Sequence, residues 1–494
     1  MERRELLTTI AFGQRVAEDE GNELENYFVE TDLWRRLLNG EIDIVYGAKG
    51  SGKSALYLLI NKKSDYLLEK RIKVVSAENL RGTTVFRSLA ENPPRDEFEF
   101  IGLWKLYILS LIGQVLLDYN ASGDSATKII EMLREANILE KKSLTSIFNY
   151  VYNYLTSLRP QAIEVDSSFD PITSVPTLTG RIVLNEPTPE KIEQGFRSVS
   201  DLLDMANQAI QEINLEVWIL FNRLDVAFAD RPEVEENALR ALFRTYLDLL
   251  SLDHINMKIF IRSDIWKRLT AMGFREASHI TRNTTITWDR ASLLNLVIKR
   301  LVQNKDILSY YKLDSNEILK TLSNQDKFFY TIFPKQVEVG PNKPKTLDWM
   351  IGRTRDGTKE TAPRELIHLL NSIKEIEIHR IEQGEISDEP KELFTSLSIK
   401  MALPDVSKTK LEQTLYAEYP RLKDKIGMLD GEKTSQTPKT LSKIWKVSEE
   451  EALKIAKQLV EIGFFEPKGS KDAPKYWVPF LYRDALSMVQ GTAV

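Results

Sequence analysis

The chain has 494 residues, 42% hydrophobic and 28% charged, enough for roughly three domains with ordinary cores. It has no cysteine, which excludes disulfides, thiolate metal sites and cysteine nucleophiles, and its four histidines, His254, His279, His368 and His379, lack metal-ligand spacing. With 67 basic against 72 acidic residues the net charge is −5, which gives no support to a nucleic-acid groove, and the N-terminus has no apolar run of the kind a secretory signal needs, so a cytoplasmic location is expected.

Residues 1–40 predict an N-terminal helical segment in which YFVETDLW makes a turn. The strand IDIVY (42–46) opens an α/β domain expected over 41–303; a glycine-rich loop, the helix KSALYLLINKKS and the strand RIKVVSA (71–77) follow. Residues 98–158 have helical apolar spacing. Within them, IGLWKLYILSLIGQVLLDY (101–119) approaches membrane-span length, but Lys105 lies inside it and Glu97, Glu99 and Asp118 flank it, so a buried helix and no membrane partner are expected. The stretch 161–187, with its Asp170-Pro171 turn, predicts an irregular or hairpin excursion, closing an insertion at about 98–190.

An amphipathic helix is expected over 189–213, then LEVWILF (215–221), a helix over 234–250, MKIFI (257–261), the helix DIWKRLTAM, TTITW (284–288) and a helix over 289–303. Alternating strands and helices argue for a parallel sheet covered on both faces, with an extra strand between the loop strand and the acidic strand. A helical domain is expected over 304–400, broken by the loop PKQVEVGPNKPKT, then a polar linker region over 401–433. LSKIW, SEEEALKIAKQLVEIGFFEP and KGSKDAPKYWVP predict a C-terminal winged helix over 434–494.

GAKGSGKS, residues 47–54, fits the phosphate-loop pattern at every fixed position and sits between a strand and a helix. Gly47, Gly50 and Gly52 let the loop curl, so that backbone N–H groups from Ala48, Lys49, Ser51 and on to Ala55 converge on phosphate oxygens. Lys53 is expected to reach the β- and γ-phosphates of ATP and Ser54 to ligate Mg²⁺, with the positive end of the helix behind them.

The acidic strand expected in such a fold ends here in Asn222-Arg223-Leu224-Asp225. Asn222 has a carbonyl oxygen but no charge, a weaker partner for hydrated Mg²⁺. Either Asn222 leaves binding intact and slows hydrolysis, or Asp225 supplies the missing charge. The next strand ends in Arg262, which either reads the γ-phosphate or pairs with a nearby carboxylate. Lys53, Asp225 and Arg262 are thus the expected catalytic groups. Arg275 and Arg282 are the possible arginine fingers, and Arg364, at a helix start, is either a second nucleotide sensor or a solvated position.

Taken together, YFVETDLW, YGAKGSGKSALY, WILFNRLDVAF, IFIRSDIW, GRTRDGTKETAPRELI and YWVPFLYRDAL resemble a group of prokaryotic P-loop ATPases similar to the STAND and KAP classes of the AAA-like division. The resemblance implies an ATPase and an association with anti-phage defence. KAP-like proteins carry Asp-Asp-Leu-Asp where this chain has Asn222-Arg223-Leu224-Asp225, which implies slow turnover; Arg262 matches the STAND strand-end arginine. The chain has no nuclease, TIR or protease motif, so a separate effector, a nuclease or toxin, is the expected partner, with a homo-oligomer as the active form. The second helix of the C-terminal segment carries Glu449, Glu450, Glu451 and Glu461 against Lys454 and Lys457, which favours protein contact over DNA, although Lys468, Lys471 and Lys475 leave a backbone contact open. A DNA-engaging motor or loader is the alternative; a small-molecule kinase has the least support.

Overall fold

The computed structural model describes residues 2–79, 84–86, 89, 93–139, 143–158, 181–224, 232–387, 392–470 and 473–493. The chain divides into two compact units, one of Leu33–Tyr46 and Leu56–Thr285, the other of Met1–Asp32, Gly47–Ala55 and Ile286–Val494. This division departs from the boundaries expected from sequence, because the glycine-rich loop goes with the C-terminal half of the chain.

The first unit is built on β1 (Ile44–Gly47) and α1 (Lys53–Lys62), apart from their residues 47 and 53–55, which go with the loop, and on β2 (Ile72–Ser76), α2 (Glu97–Asp118), α3 (Val199–Glu212), β3 (Glu216–Phe221), α4 (Pro232–Leu249), β4 (Ile255–Arg262), α5 (Ser263–Ala271) and β5 (Asn283–Thr285). The five strands form one sheet in the order β2-β3-β4-β1-β5, with β2–β3, β3–β4 and β1–β5 paired in parallel. β4 is the extra strand between β1 and β3 that the sequence predicts. The strands are continuous apolar runs because both faces are covered; Val217, Ile219 and Phe221 are fully buried alongside Trp218 and Leu220.

The long apolar stretch is α2, a core helix. Asp96 caps it by accepting from the Glu99 N–H at 2.9 Å, and 78% of its most apolar window is buried. It packs on α3, α4 and the helix Leu144–Ser157. Trp104 Nε1 donates to the Ala238 carbonyl and Tyr107 Oη to that of Ala77, each at 2.8 Å, so its polar atoms are satisfied inside the core.

Two expected elements differ. The single helix over 189–213 is broken: Pro189–Glu193 is helical, Gly195 takes φ +91°, Arg197–Ser198 is a short strand, and Ser198 opens α3 with a capping box to Asp201. Most of the expected excursion over 161–187 lies outside the described residues; its end, Ile182–Val183, pairs in parallel with Arg197–Ser198, which a simple hairpin would not do. The strand expected over 284–288 ends at Thr285.

The second unit contains α6 (Arg290–Val302), α7 (Pro363–Glu382), α8 (Ser396–Thr409) and, C-terminally, β6 (Lys433–Gln436), α9 (Pro438–Trp445), α10 (Glu449–Glu461), β7 (Glu466–Gly469), β8 (Pro474–Trp477) and β9 (Val489–Thr492). The segment expected to be a linker, 401–433, is not one. α8 runs on as a π-helical turn, Lys410–Tyr416, and Leu403, Val406, Leu411, Leu415, Ile426 and Leu429 are buried in the unit's core. Its polar composition belongs to the outer face of an amphipathic helix. α9–α10–β7–β8 has the helix, helix, hairpin order read from the sequence; β6, which the sequence did not indicate, precedes it, and β9 adds a fourth strand beside β6. At the other end of the chain, Arg3 forms a buried ion pair with Glu377 of α7 and donates to the Leu393 carbonyl at 2.9 Å, tying the first helix to the C-terminal half.

Candidate phosphate-binding loop

The loop from Gly47 to Gly52 leaves the end of β1 and enters α1 at Lys53. Gly50 has φ +80° and Gly52 φ +105°, values a side chain would strain, so two of the loop's three glycines are required by backbone geometry. Lys53 Nζ donates to the Gly47 carbonyl at 2.8 Å and to that of Ala48 at 2.9 Å, which folds its ammonium over the loop. The Ser51 hydroxyl is buried and has no hydrogen-bond partner among the described residues. Trp288 Nε1 donates to the Ser51 carbonyl at 2.8 Å, which explains why the chain leaves strand geometry after Thr285.

Two further groups approach the loop within the same unit. Arg364, the second residue of α7, packs on Gly50: a methyl on Gly50 would lie 3.0 Å from Arg364 Cβ and 3.4 Å from its Cδ. Arg364 is half-buried and its Nε donates to the Arg15 carbonyl at 3.1 Å. The start of α7 therefore packs beside the loop and is not a fully solvated helix start. Lys49 forms an ion pair with Glu418. Neither Arg15 nor Glu418 stands out in sequence; both lie in polar stretches without motif spacing.

Beside Arg364 is a small polar pocket lined by Arg15, Glu365, His368, Val406, Lys410 and Thr414. Lys410 Nζ pairs with Glu365 Oε1 at 2.7 Å, and His368 Nε2 lies 2.9 Å from Asp405 Oδ2. Burial, aided by the Arg15 charge, holds the His368 imidazole below its ordinary pKa of 6.5 despite the Asp405 carboxylate.

The remaining expected residues stand in the sheet unit. Asn222 follows β3 directly and is 4% exposed; Arg223 then takes φ +55°, which ends the strand. Asp225 lies outside the described residues. Arg262 makes a bidentate ion pair with Asp264, Nε to Oδ1 at 3.0 Å and Nη2 to Oδ2 at 2.6 Å, so of its two readings the carboxylate pair is the one observed. Arg275 is exposed at the start of a short 3₁₀ turn. Arg282 is engaged within its own unit: its Nε lies 2.8 Å from Asp43 Oδ2, and Lys258 Nζ reaches Asp43 Oδ1 at 2.7 Å.

One acidic residue escaped the sequence reading. Glu78 lies just beyond β2, and β2 pairs with β3, so it sits one strand over from Asn222. It is fully buried, and its carboxylate accepts from Thr84 Oγ1 at 2.6 Å, the Asn79 N–H at 2.8 Å and the Val85 N–H at 3.0 Å. Burial raises its pKa while these hydrogen bonds oppose the rise. The available signal was an acid following an apolar strand, in RIKVVSAEN.

A strand, a glycine-rich loop and a helix, in a sheet where one strand separates β1 from β3, define the P-loop class of α/β folds. No protein-family model matches the chain. Its sequence is 25% identical over 305 residues to the putative transposon gamma-delta 80.3 kDa protein of Escherichia coli K12, a match covering 59% of this chain and 39% of that protein, so the chain spans about two-fifths of that relative's length. Among solved structures it is similar to a Walker-type ATPase of Pyrococcus abyssi, with TM-score 0.39, 11% identity and coverage of 96% and 97% of the two chains. It is also similar to the ORC1 protein of Aeropyrum pernix in complex with DNA, with TM-score 0.34, 11% identity and coverage of 96% of each chain.

Proposed function

We propose that the chain is an ATP-binding, slowly hydrolysing P-loop ATPase of the STAND/KAP type, acting as an oligomeric switch or scaffold that controls a separate effector protein, in anti-phage defence. The observation that carries this reading is the loop itself: left-handed glycines at 50 and 52, Lys53 folded over the Gly47 and Ala48 carbonyls, and Arg364 against Gly50. Lys53 exchanges those carbonyls for the β- and γ-phosphates, the N-terminus of α1 faces the anion, and Arg364 reads phosphate occupancy from α7.

Among the described residues no group of three or more His, Cys, Asp or Glu gathers to hold a metal. Mg²⁺ keeps most of its water and takes hard oxygen donors; Ser54 is the residue expected to hold it, with Asn222 and Asp225 as the further expected contributors. When bound, the ion neutralises phosphate charge. The neutral amide at 222 supports slow turnover.

Assembly is the second half of the proposal. We assign the action on the effector to a surface that assembly creates, and the finger offered to a neighbouring subunit to Arg275, which is exposed. Light scattering tests it. The expected result is an oligomer that ATP stabilises in the wild type and not in Arg275→Ala. A strict monomer with and without ATP rejects the assembly model; an oligomer indifferent to both ATP and Arg275 rejects the finger.

A further inference from the structure

We propose that Glu418 is a phosphate-competing latch on the loop: it holds the Lys49 ammonium, and a polyphosphate bound in the loop takes that ammonium over. The proposal rests on the reading of the loop as a nucleotide site.

Lys49 occupies a variable position of the loop, GAKGSGKS, so the fold does not demand a cation there. Its ion-pair partner stands 369 residues downstream in the same compact unit. The Lys49 side chain is 34% exposed and that of Glu418 18%, so the pair is neither fully screened nor sealed in the core. A carboxylate at this place has two effects on an incoming anion. It neutralises a cation the loop would otherwise present, and it adds a like charge beside the phosphate path. Both oppose binding, and both end when Lys49 turns from carboxylate to phosphate.

The region around Glu418 suits a moving latch. Glu418 lies two residues after the π-helical turn Lys410–Tyr416, a rare geometry frequently found at functional sites. That turn is joined to α7 through the Lys410–Glu365 ion pair, and Arg364, the neighbour of Glu365, packs on Gly50. The chain thus grips adjacent loop residues twice: Gly50 from α7, and Lys49 from Glu418, two residues after the π turn. Filling the loop with phosphate releases the second grip while leaving the first, and loosens the segment that leads into β6.

The test is calorimetric titration of MgATP into the full-length protein at fixed ionic strength, for wild type, Glu418→Gln, Lys49→Gln and the double variant. Glu418→Gln removes the charge and keeps the shape. It is expected to tighten MgATP about fivefold, the scale of a part-exposed ion pair, and the gain should shrink in the Lys49→Gln background. Hydrogen exchange over 410–430 should rise on MgATP binding in the wild type and be already raised in unliganded Glu418→Gln. Unchanged or weaker binding by Glu418→Gln, or the same gain with and without Lys49, overturns the latch. If the wild type binds MgATP, Lys53→Ala abolishes binding, and Glu418→Gln has no effect, the nucleotide site stands and the latch alone falls. A wild type that binds no MgATP removes both.

Discussion

In the proposed function, Asn222 is the residue that slows turnover. It is buried directly after β3, and the proposal assigns it a place among the Mg²⁺ contributors, where a carboxylate would carry the charge that its amide lacks. Asn222→Asp should raise steady-state ATPase activity tenfold or more, about 1.4 kcal/mol off the barrier. An unchanged rate, together with loss of activity in Asp225→Ala, would show that Asp225 already supplies the acid. A second residue-scale expectation concerns His368. Its folded pKa lies below 6.5 because burial and Arg15 disfavour the imidazolium. The unfolded chain therefore takes up this proton first as pH falls. The contribution of His368 to stability is complete above about pH 6.5 and is lost as pH drops through the depressed folded value. With four histidines in the chain, the ring signals can be assigned by substitution and titrated by NMR. The midpoint for His368 should fall below 6.5; a midpoint at or above it contradicts this account of the pocket.

Among the elements, the stretch GRTRDGTKETAPRELI acquires a physical explanation. Arg355 and Thr361 bridge across a tight turn, and Gly357 at its tip donates from its N–H to the Gly463 carbonyl at 2.7 Å. A methyl at Gly357 would overlap the Phe465 carbonyl, a backbone atom that cannot swing aside. Gly357→Ala should cost about 1–3 kcal/mol, as overpacking does, read as a lower denaturation midpoint; an unaltered midpoint would mean that the turn yields freely. Elements like this show what a sequence conveys. β1 to β5 and the loop were legible because apolar runs and glycine spacing are local signals. The helix over 189–213 was misjudged because apolar periodicity persists across Gly195 while the backbone does not. Residues 401–433 were misjudged because charged side chains between Leu403, Val406, Leu411 and Leu415 hid a helical stripe. The approach of Arg364 to Gly50 was only one of two readings, and that of Glu418 to Lys49 gave no sign at all, since both are set by tertiary packing across more than three hundred residues.

At the scale of the whole molecule, the division of the chain is what gives the loop its meaning. The loop is contiguous with β1 and α1, yet its contacts place it with the first thirty-two residues and the C-terminal half. Arg364, Glu418 and Trp288 all touch it from that half. On the proposed reading, these three residues are the ones through which the rest of the unit would register a ligand in the loop. The direct test is MgATP binding by the full-length chain, followed as a thermal shift and compared with Lys53→Ala. A ligand at a hundredfold excess over its dissociation constant stabilises the folded state by about 2.7 kcal/mol. The wild type should show a clear rise in melting temperature with MgATP and Lys53→Ala none, whereas no rise in the wild type, or an equal rise in both, would contradict the assignment of the loop.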